Sequence, residues 1–263
     1  MLVIKLLVVP LGIVFVTLAG RKWGPSVGGL LVSLPYTSAP VVLFLALEQG
    51  TPFAADAARS ALLGFASLAA FCGAYAAAAR RWGPARSTAV GWGAYVLAAA
   101  ALRLFPGGTV SALLVAVVSL AAAVRLIPNG GCASRASRTP RWDLPLRVAV
   151  ALSMVVGLTA IAGQVGPRWS GLLTPFPSYV TVMTVFVHGT EGAVAVRRFL
   201  RSVASGLVSV SAGFALLSSL LVPAGVAGAF AASLAAIAVL HAALLRAPRA
   251  IEEPTCVREE SCA

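Results

Sequence analysis

Long apolar runs, broken by charge clusters or by Gly and Pro, dominate this chain. They predict nine transmembrane helices, at about residues 2–20, 27–47, 54–79, 87–104, 108–127, 145–164, 169–189, 195–221 and 224–246. The runs are continuous and lack period-two alternation, so they read as helices and not as strands of a membrane barrel. Lipid-exposed backbone must also satisfy its own hydrogen bonds, which a helix does within one segment. The fourth and fifth spans are divided by Arg103 and Phe105-Pro106-Gly107-Gly108, which interrupt an apolar stretch covering residues 87–127. Were that break only a kink, every later span would reverse its direction.

Composition agrees with this pattern. Of 263 residues, 59% are hydrophobic and 11% charged, and the mean hydropathy is +0.94. Nine spans use nearly all of such a chain, so a soluble catalytic domain is not expected. The net charge of +12 is read by loop, as a topology signal, and not as affinity for nucleic acid. Loops after spans one, three, five and seven, with the C-terminal tail, carry Arg21/Lys22, Arg80/Arg81/Arg86, Arg125 to Arg147, Arg197/Arg198/Arg201 and Arg246/Arg249/Arg258, which is 16 of the 20 basic residues. The other side receives Lys5, Arg59, Arg103 and Arg168. Basic loops stay cytoplasmic, so the N-terminus is expected outside and the C-terminus inside. Span one, with Lys5 before it, has the form of a secretory signal, but the repeat described next makes it part of the fold. The four cysteines, Cys72, Cys132, Cys256 and Cys262, show no CxxC spacing and no clustered His, so no metal or disulfide framework is expected.

Sliding the chain by 142 residues pairs Gly24-Pro25 with Gly166-Pro167 and Gly29-Leu30-Leu31 with Gly171-Leu172-Leu173. The same shift pairs Pro35 with Pro177, Phe44 with Phe186, Gly50 with Gly192, Arg59-Ser60 with Arg201-Ser202 and Gly64 with Gly206. These are 11 identities in 41 ungapped positions, where this composition gives roughly four or five by chance. Lys5 meets Arg147 at the same offset. The fold class expected is therefore all-α: a polytopic membrane helix bundle of about nine spans in two four-helix repeats with a connecting helix. Residues 1–104 form the first repeat, 105–144 the connector helix and a basic cytoplasmic loop, 145–246 the second repeat and 247–263 a cytoplasmic tail. Five spans separate equivalent helices, so the two units insert with opposite orientation, the inverted-topology architecture of secondary transporters.

The second unit carries Ser170-Gly171-Leu172-Leu173-Thr174-Pro175-Phe176-Pro177, then His188, Glu191-Gly192 and Leu200-Arg201. In this it resembles the GlpM-like small inner-membrane proteins of bacteria, which look like one such four-span unit. The first unit keeps Gly29-Leu30-Leu31, Leu34-Pro35, Glu48-Gln49-Gly50 and Arg59 but has Ala46 at the His position and lacks the PFP doublet. The resemblance implies a multi-pass protein of the bacterial inner (cytoplasmic) membrane. In architecture, the fused inverted pair is similar to the small multidrug resistance and drug/metabolite transporters, a likeness of fold and not of function.

Two segments concentrate the candidate chemistry: Ser33-Leu34-Pro35-Tyr36-Thr37-Ser38-Ala39-Pro40 and Thr174-Pro175-Phe176-Pro177-Ser178-Tyr179. Proline removes a backbone donor and disturbs the helix one turn back, so both segments are expected to be bent or unwound. The functional reading makes Ser33, Pro35, Tyr36, Thr37, Ser38, Thr174, Pro175, Pro177, Ser178 and Tyr179 a solute-binding lining; the structural alternative is a pair of kinks. Lys5/Arg147 and Arg59/Arg201 are two repeat-related basic pairs near helix ends. They could attract an anionic solute, or snorkel and pair with Glu48, Asp56 and Glu191. His188, one turn before Glu191, is the candidate for a proton-linked step; its alternative is an interfacial anchor. His241, in an Ala-rich span, reads as a packing residue. No acidic residue lies at the middle of a span, which disfavours a carboxylate-centred antiporter.

The function expected is a secondary transporter, as an exporter in one version, of a small organic solute or lipid precursor. The alternative is a non-transporting membrane subunit of an envelope biosynthesis complex. An enzyme is disfavoured, because no Asp-rich diphosphate motif, GxSxG or HExxH is present. A Ser paired with His241 is conceivable, but spacing selects no particular serine. No cofactor is expected; the partners are membrane lipids and an unidentified small solute, with a homo-oligomer left open and no nucleic acid.

Overall fold

The computed structural model describes residues 22–36, 38–128 and 177–246, with a few further positions within 11–19 and 145–149. All regular elements among them are helices: α1 (Pro25–Val32), α2 (Ser38–Glu48), α3 (Thr51–Ala78), α4 (Pro84–Leu102), α5 (Thr109–Leu126), α6 (Ser178–Leu220) and α7 (Gly225–Arg246). Four are long and apolar enough to cross a membrane: α3, α5, α6 from Tyr179, and α7. α4 is separated from α5 by the Arg103–Gly108 break, so the two are distinct helices, as the interruption predicts.

Local chemistry explains where the helices begin. Pro25, Pro52 and Pro84 occupy first-turn positions, where the missing N–H is not needed. Gly50, before α3, has φ 88° and ψ 165°. Gly192, inside α6, has φ 85° and ψ −177° and interrupts the helical backbone there. Both values lie in a region that is essentially restricted to glycine.

α6 is not one straight rod. A straight helix of its 43 residues would be about 65 Å long, roughly twice a bilayer's hydrocarbon thickness. Its contacts with α3 show where it turns. Before Gly192, Tyr179 shares a cavity with Phe65 and Leu68, and His188 meets Tyr75, so this segment ascends in register with α3. After Gly192 the order reverses: Phe214 packs edge-on against Phe65 (5.2 Å between centroids), and Ser218 Oγ donates to the Ala55 carbonyl at 3.0 Å. The later segment therefore runs antiparallel to α3, and Gly192 is the turn between two helices.

The core lies between α3 and α6. Within its most apolar window α3 is 78% buried, against 22% for α5 and for α7, which places those two at the periphery. Large apolar side chains on α4, α5 and α7, among them Leu97, Leu114, Val118 and Val239, point outward, as a lipid-facing belt requires. α1 crosses the later half of α6 where Gly29 abuts the Phe199 carbonyl and Gly206 abuts Ser33. Small residues let two backbones approach this closely, and van der Waals contact is the main force joining helices in lipid.

A displacement of 142 residues relates these elements as well as the residues. It carries Thr51–Ala78 onto 193–220, the part of α6 after Gly192, and carries Pro84–Leu102 to within α7. It also carries Gly50 onto Gly192, the two glycines that share one backbone conformation. α4 packs on α3 where Gly91 faces Phe71, and α7 packs on α6 where Ser233 faces Gly213, the same two positions displaced by 142. The span expected over 27–47 consists of α1 and α2, interrupted at residues 33–37 around Pro35. The loop expected between the seventh and eighth spans is reduced to the turn at Gly192, because glycine there reverses the chain without further residues.

Candidate functional site

The interruption between α1 and α2 opens beside the start of α6. A cavity of about 50 Å³ lies there, lined by Val32 to Tyr36 and Ser38 from the break, Phe65 and Leu68 from α3, and Tyr179, Val180 and Leu207 from α6. Two pairs among these, Ser38 with Val180 and Phe65 with Leu207, are related by the 142-residue displacement. Equivalent positions of the two units thus face one cavity.

Five of the residues singled out by sequence, Ser33, Pro35, Tyr36, Ser38 and Tyr179, line this cavity. Ser33, Ser38 and Tyr179 are buried and Tyr36 is half-buried. The Tyr36 and Tyr179 rings meet edge to face at 6.2 Å. Tyr179 is only 9% exposed, yet its hydroxyl has no hydrogen-bond partner among the described residues. A buried hydroxyl normally finds one, because leaving it bare costs about 1–3 kcal/mol. The backbone of the break is largely self-satisfied: Ser33 N–H donates to Gly29 and Leu30, Leu34 N–H to Leu31, and Tyr36 N–H to Leu34. A solute here would meet hydroxyls and ring faces before it met bare amides.

Pro177 is buried immediately before α6, and its carbonyl accepts the Thr181 N–H at 2.7 Å. Ser178 is the first helical residue. Thr37, Thr174, Pro175, Lys5 and Arg147 lie outside the described residues.

His188 is buried at 8% exposure, and its Nδ1 lies 3.1 Å from the Tyr75 hydroxyl of α3, with the rings 5.8 Å apart. The solvated anchor considered from sequence is thus replaced by a contact inside the bundle. Glu191 is half-buried beside the Gly192 turn. The basic pair Arg59 and Arg201 divides in role. Arg59 makes an ion pair with Asp56 on the surface of α3 at 3.0 Å. Arg201 donates to the carbonyls of Val124 and Ile127 (2.7 Å to the latter), covering the C-terminus of α5, where a cation is favoured.

Sequence reasoning missed two groups. Tyr75 was not singled out, and His241 is more than packing: it is buried at 4% exposure and joins Ser33 to Ser209. The available signal was a lone ionisable residue within an Ala-rich span, which in a membrane is a functional candidate by default. Among the described residues, no group of three or more His, Cys, Asp or Glu is placed to hold a metal. The chain matches no known protein family, no curated protein and no solved structure.

Proposed function

We propose that this protein is a secondary transporter of a small organic solute, built from two inverted four-helix units, with the cavity between α1, α2 and α6 as its solute site. The observation that carries the reading is that repeat-equivalent residues from both units line one cavity that also holds a buried, unpartnered hydroxyl. Repeat-related broken helices meeting at an interface are the recurring form of solute sites in such transporters. The antiparallel course of α3 and the later part of α6, which are equivalent segments, supports the inversion. The resemblance to GlpM-like inner-membrane proteins accords with a duplicated and fused ancestor.

The orientation follows from the same contacts. Thr109, Ser218 and Ala55 gather at one end of the bundle, while Arg201 and Ile127 meet toward the other. The basic loops belong to the second end, so it is the cytoplasmic one, with the C-terminus on that side. A 50 Å³ cavity holds only about three or four waters. The solute therefore enters in a state where α1–α2 and the start of α6 have moved apart, which rocking of one unit against the other supplies.

The test is solute-dependent thermal stabilisation of purified protein across a panel of neutral, anionic and cationic metabolites, followed by flux in proteoliposomes. Ser38→Ala and Tyr179→Phe should weaken the solute response more than they lower expression. Equal loss of both would return the Pro-containing breaks to a structural role. Absence of any response across the panel would favour the non-transporting membrane subunit.

A further inference from the structure

Three elements meet at His241. The ring belongs to α7; Nε2 lies 3.1 Å from Ser33 Oγ and 3.2 Å from the Leu30 carbonyl, both at the C-terminal end of α1. Nδ1 is hydrogen-bonded with Ser209 Oγ on α6. Each serine also has a backbone acceptor: Ser33 Oγ reaches the Leu30 carbonyl at 2.6 Å, and Ser209 Oγ reaches the Gly206 carbonyl at 2.7 Å.

A hydroxyl has one proton to give and lone pairs to accept with. When both serines donate to their carbonyls, both of their oxygens face the ring as acceptors. The Leu30 carbonyl can only accept. That arrangement matches an imidazolium, which donates from both nitrogens. A neutral ring is matched when one serine turns its proton from the carbonyl to the unprotonated nitrogen. Both charge states are thus satisfied by rotating one hydroxyl. A histidine held only for packing needs a single tautomer with one donor and one acceptor, and two adaptable serines would be superfluous.

The surroundings do not fix the charge. α1 carries no titratable side chain, and residues 202–213 of α6 carry none. On α7 the other charged residue is Arg246, five positions on and turned well away around the helix. The acidic residue of α6, Glu191, lies at the Gly192 turn, far along the helix from Ser209. The C-terminal end of α1, with its partly negative carbonyls, is what favours the cation here.

Ser33 is both a partner of the His241 ring and a wall of the solute cavity. We propose that His241 is a reversible proton-binding site coupled to that cavity through Ser33. The coupling rests on the transporter reading of the cavity; the proton binding does not. Gaining a proton draws Ser33 Oγ into accepting from the ring, and losing it frees Ser33 to donate, so the hydroxyl presented beside the cavity changes with the charge on His241. Ser33 is not assigned as a nucleophile, because its own N–H is already bonded to Gly29 and Leu30 and offers nothing to an oxyanion.

The experiment uses the full chain in lipid nanodiscs, with ¹⁵N-labelled histidine followed by NMR from about pH 5 to 8, the range in which imidazole titrates. The His241 resonances are assigned by their loss in His241→Gln. The expected result is passage from two protonated ring nitrogens to one within that range, with the midpoint displaced in Ser33→Ala and in Ser209→Ala. The serine variants keep the ring and so serve even where His241→Gln folds poorly. In parallel, solute-induced stabilisation should depend on pH in the unaltered protein and lose that dependence in Ser33→Ala. A ring fixed in one protonation state throughout would overturn the proposal whatever any solute does. A titrating ring with the pH dependence intact in Ser33→Ala would overturn the coupling and leave the transporter standing. A titrating ring in a protein that answers no solute would overturn the transporter reading, and the coupling with it. Covalent labelling of Ser33 by a fluorophosphonate would overturn the relay in favour of a hydrolase.

Discussion

Replacing Gly192 by Ala tests whether the chain reverses there through a conformation reserved for glycine. Nothing lies within 4 Å of the position that a Cβ would take at Gly192, so a loss of stability cannot come from a steric clash with neighbouring groups. It must come from the backbone, since φ 85° with ψ −177° costs an alanine about 1–3 kcal/mol. Gly50 has nearly the same dihedrals, and its nearest neighbour would be Pro52 Cδ at an ordinary 3.8 Å, so Gly50→Ala should cost a similar amount. Gly73 supplies the opposite sign. It lies within α3 in open space, and alanine there gains about 0.5–1 kcal/mol from helix propensity. The three substitutions add the same methyl group, yet two should destabilise and one should not. Equilibrium unfolding in mixed micelles, read by intrinsic fluorescence, would separate them, because 1.4 kcal/mol is a tenfold change in the folded-to-unfolded ratio. If Gly192→Ala behaved as Gly73→Ala does, α6 would not turn at Gly192 in this way, and the opposed course of its two segments would be wrong.

Tyr179→Phe removes a hydroxyl that is buried without a partner, so the solute-free protein should be as stable or more stable, by up to about 1–3 kcal/mol, while its solute response weakens; a destabilised variant would show that the hydroxyl is already bonded in the free protein. Arg201→Met should cost about 1.5–3 kcal/mol in the same unfolding assay by leaving the end of α5 uncovered, whereas Arg59→Met should change stability by less than about 1 kcal/mol, since its ion pair is exposed; equal effects would refute the difference in role. Reporter fusions after Arg81, Gly108, Arg138 and the C-terminus should read inside, outside, inside and inside. A cytoplasmic reading after Gly108 would remove the inversion.

Much of the helix plan was legible because the residues that end membrane helices do so through their own backbones. Pro35, Gly50, Phe105-Pro106-Gly107-Gly108 and Gly192 each interrupt an apolar run, and each marks a break or turn in the structure. The offset of 142 was legible for the same reason, since Gly and Pro are retained where geometry leaves no substitute. The hydroxyl cavity was half legible: consecutive Ser, Tyr and Pro announced an irregular segment, but not that Phe65, Leu68 and Leu207 would close it. Those are ordinary apolar residues whose role exists only through packing. The partners of the two histidines were not legible at all. Tyr75 is 113 residues from His188, and Ser33 is 208 residues from His241; no helical spacing connects them.

Both histidines fall in the second unit, and this matters for how an inverted pair would work. The position equivalent to His188 is Ala46, and the position equivalent to His241 is Ala99. Ser209 has its counterpart in Ser67, but Ser67 donates to its own helix at Leu63, having no imidazole to meet. Rocking in an inverted-repeat transporter exchanges the arrangements of the two units, so two identical units would give inward-facing and outward-facing states of equal energy. Here the links from His188 to Tyr75 and from His241 to Ser33 and Ser209 have no counterparts when the arrangements are exchanged. At about 0.5–1.5 kcal/mol for each hydrogen bond, three such links favour the observed state by roughly 2–4 kcal/mol, a bias of tenfold to a thousandfold. A bias of that size is within reach of one protonation event, because each pH unit below a group's pKa adds about 1.4 kcal/mol to the drive for binding a proton. The residues that break the symmetry of the repeat are therefore also the ones through which a proton could set its resting state.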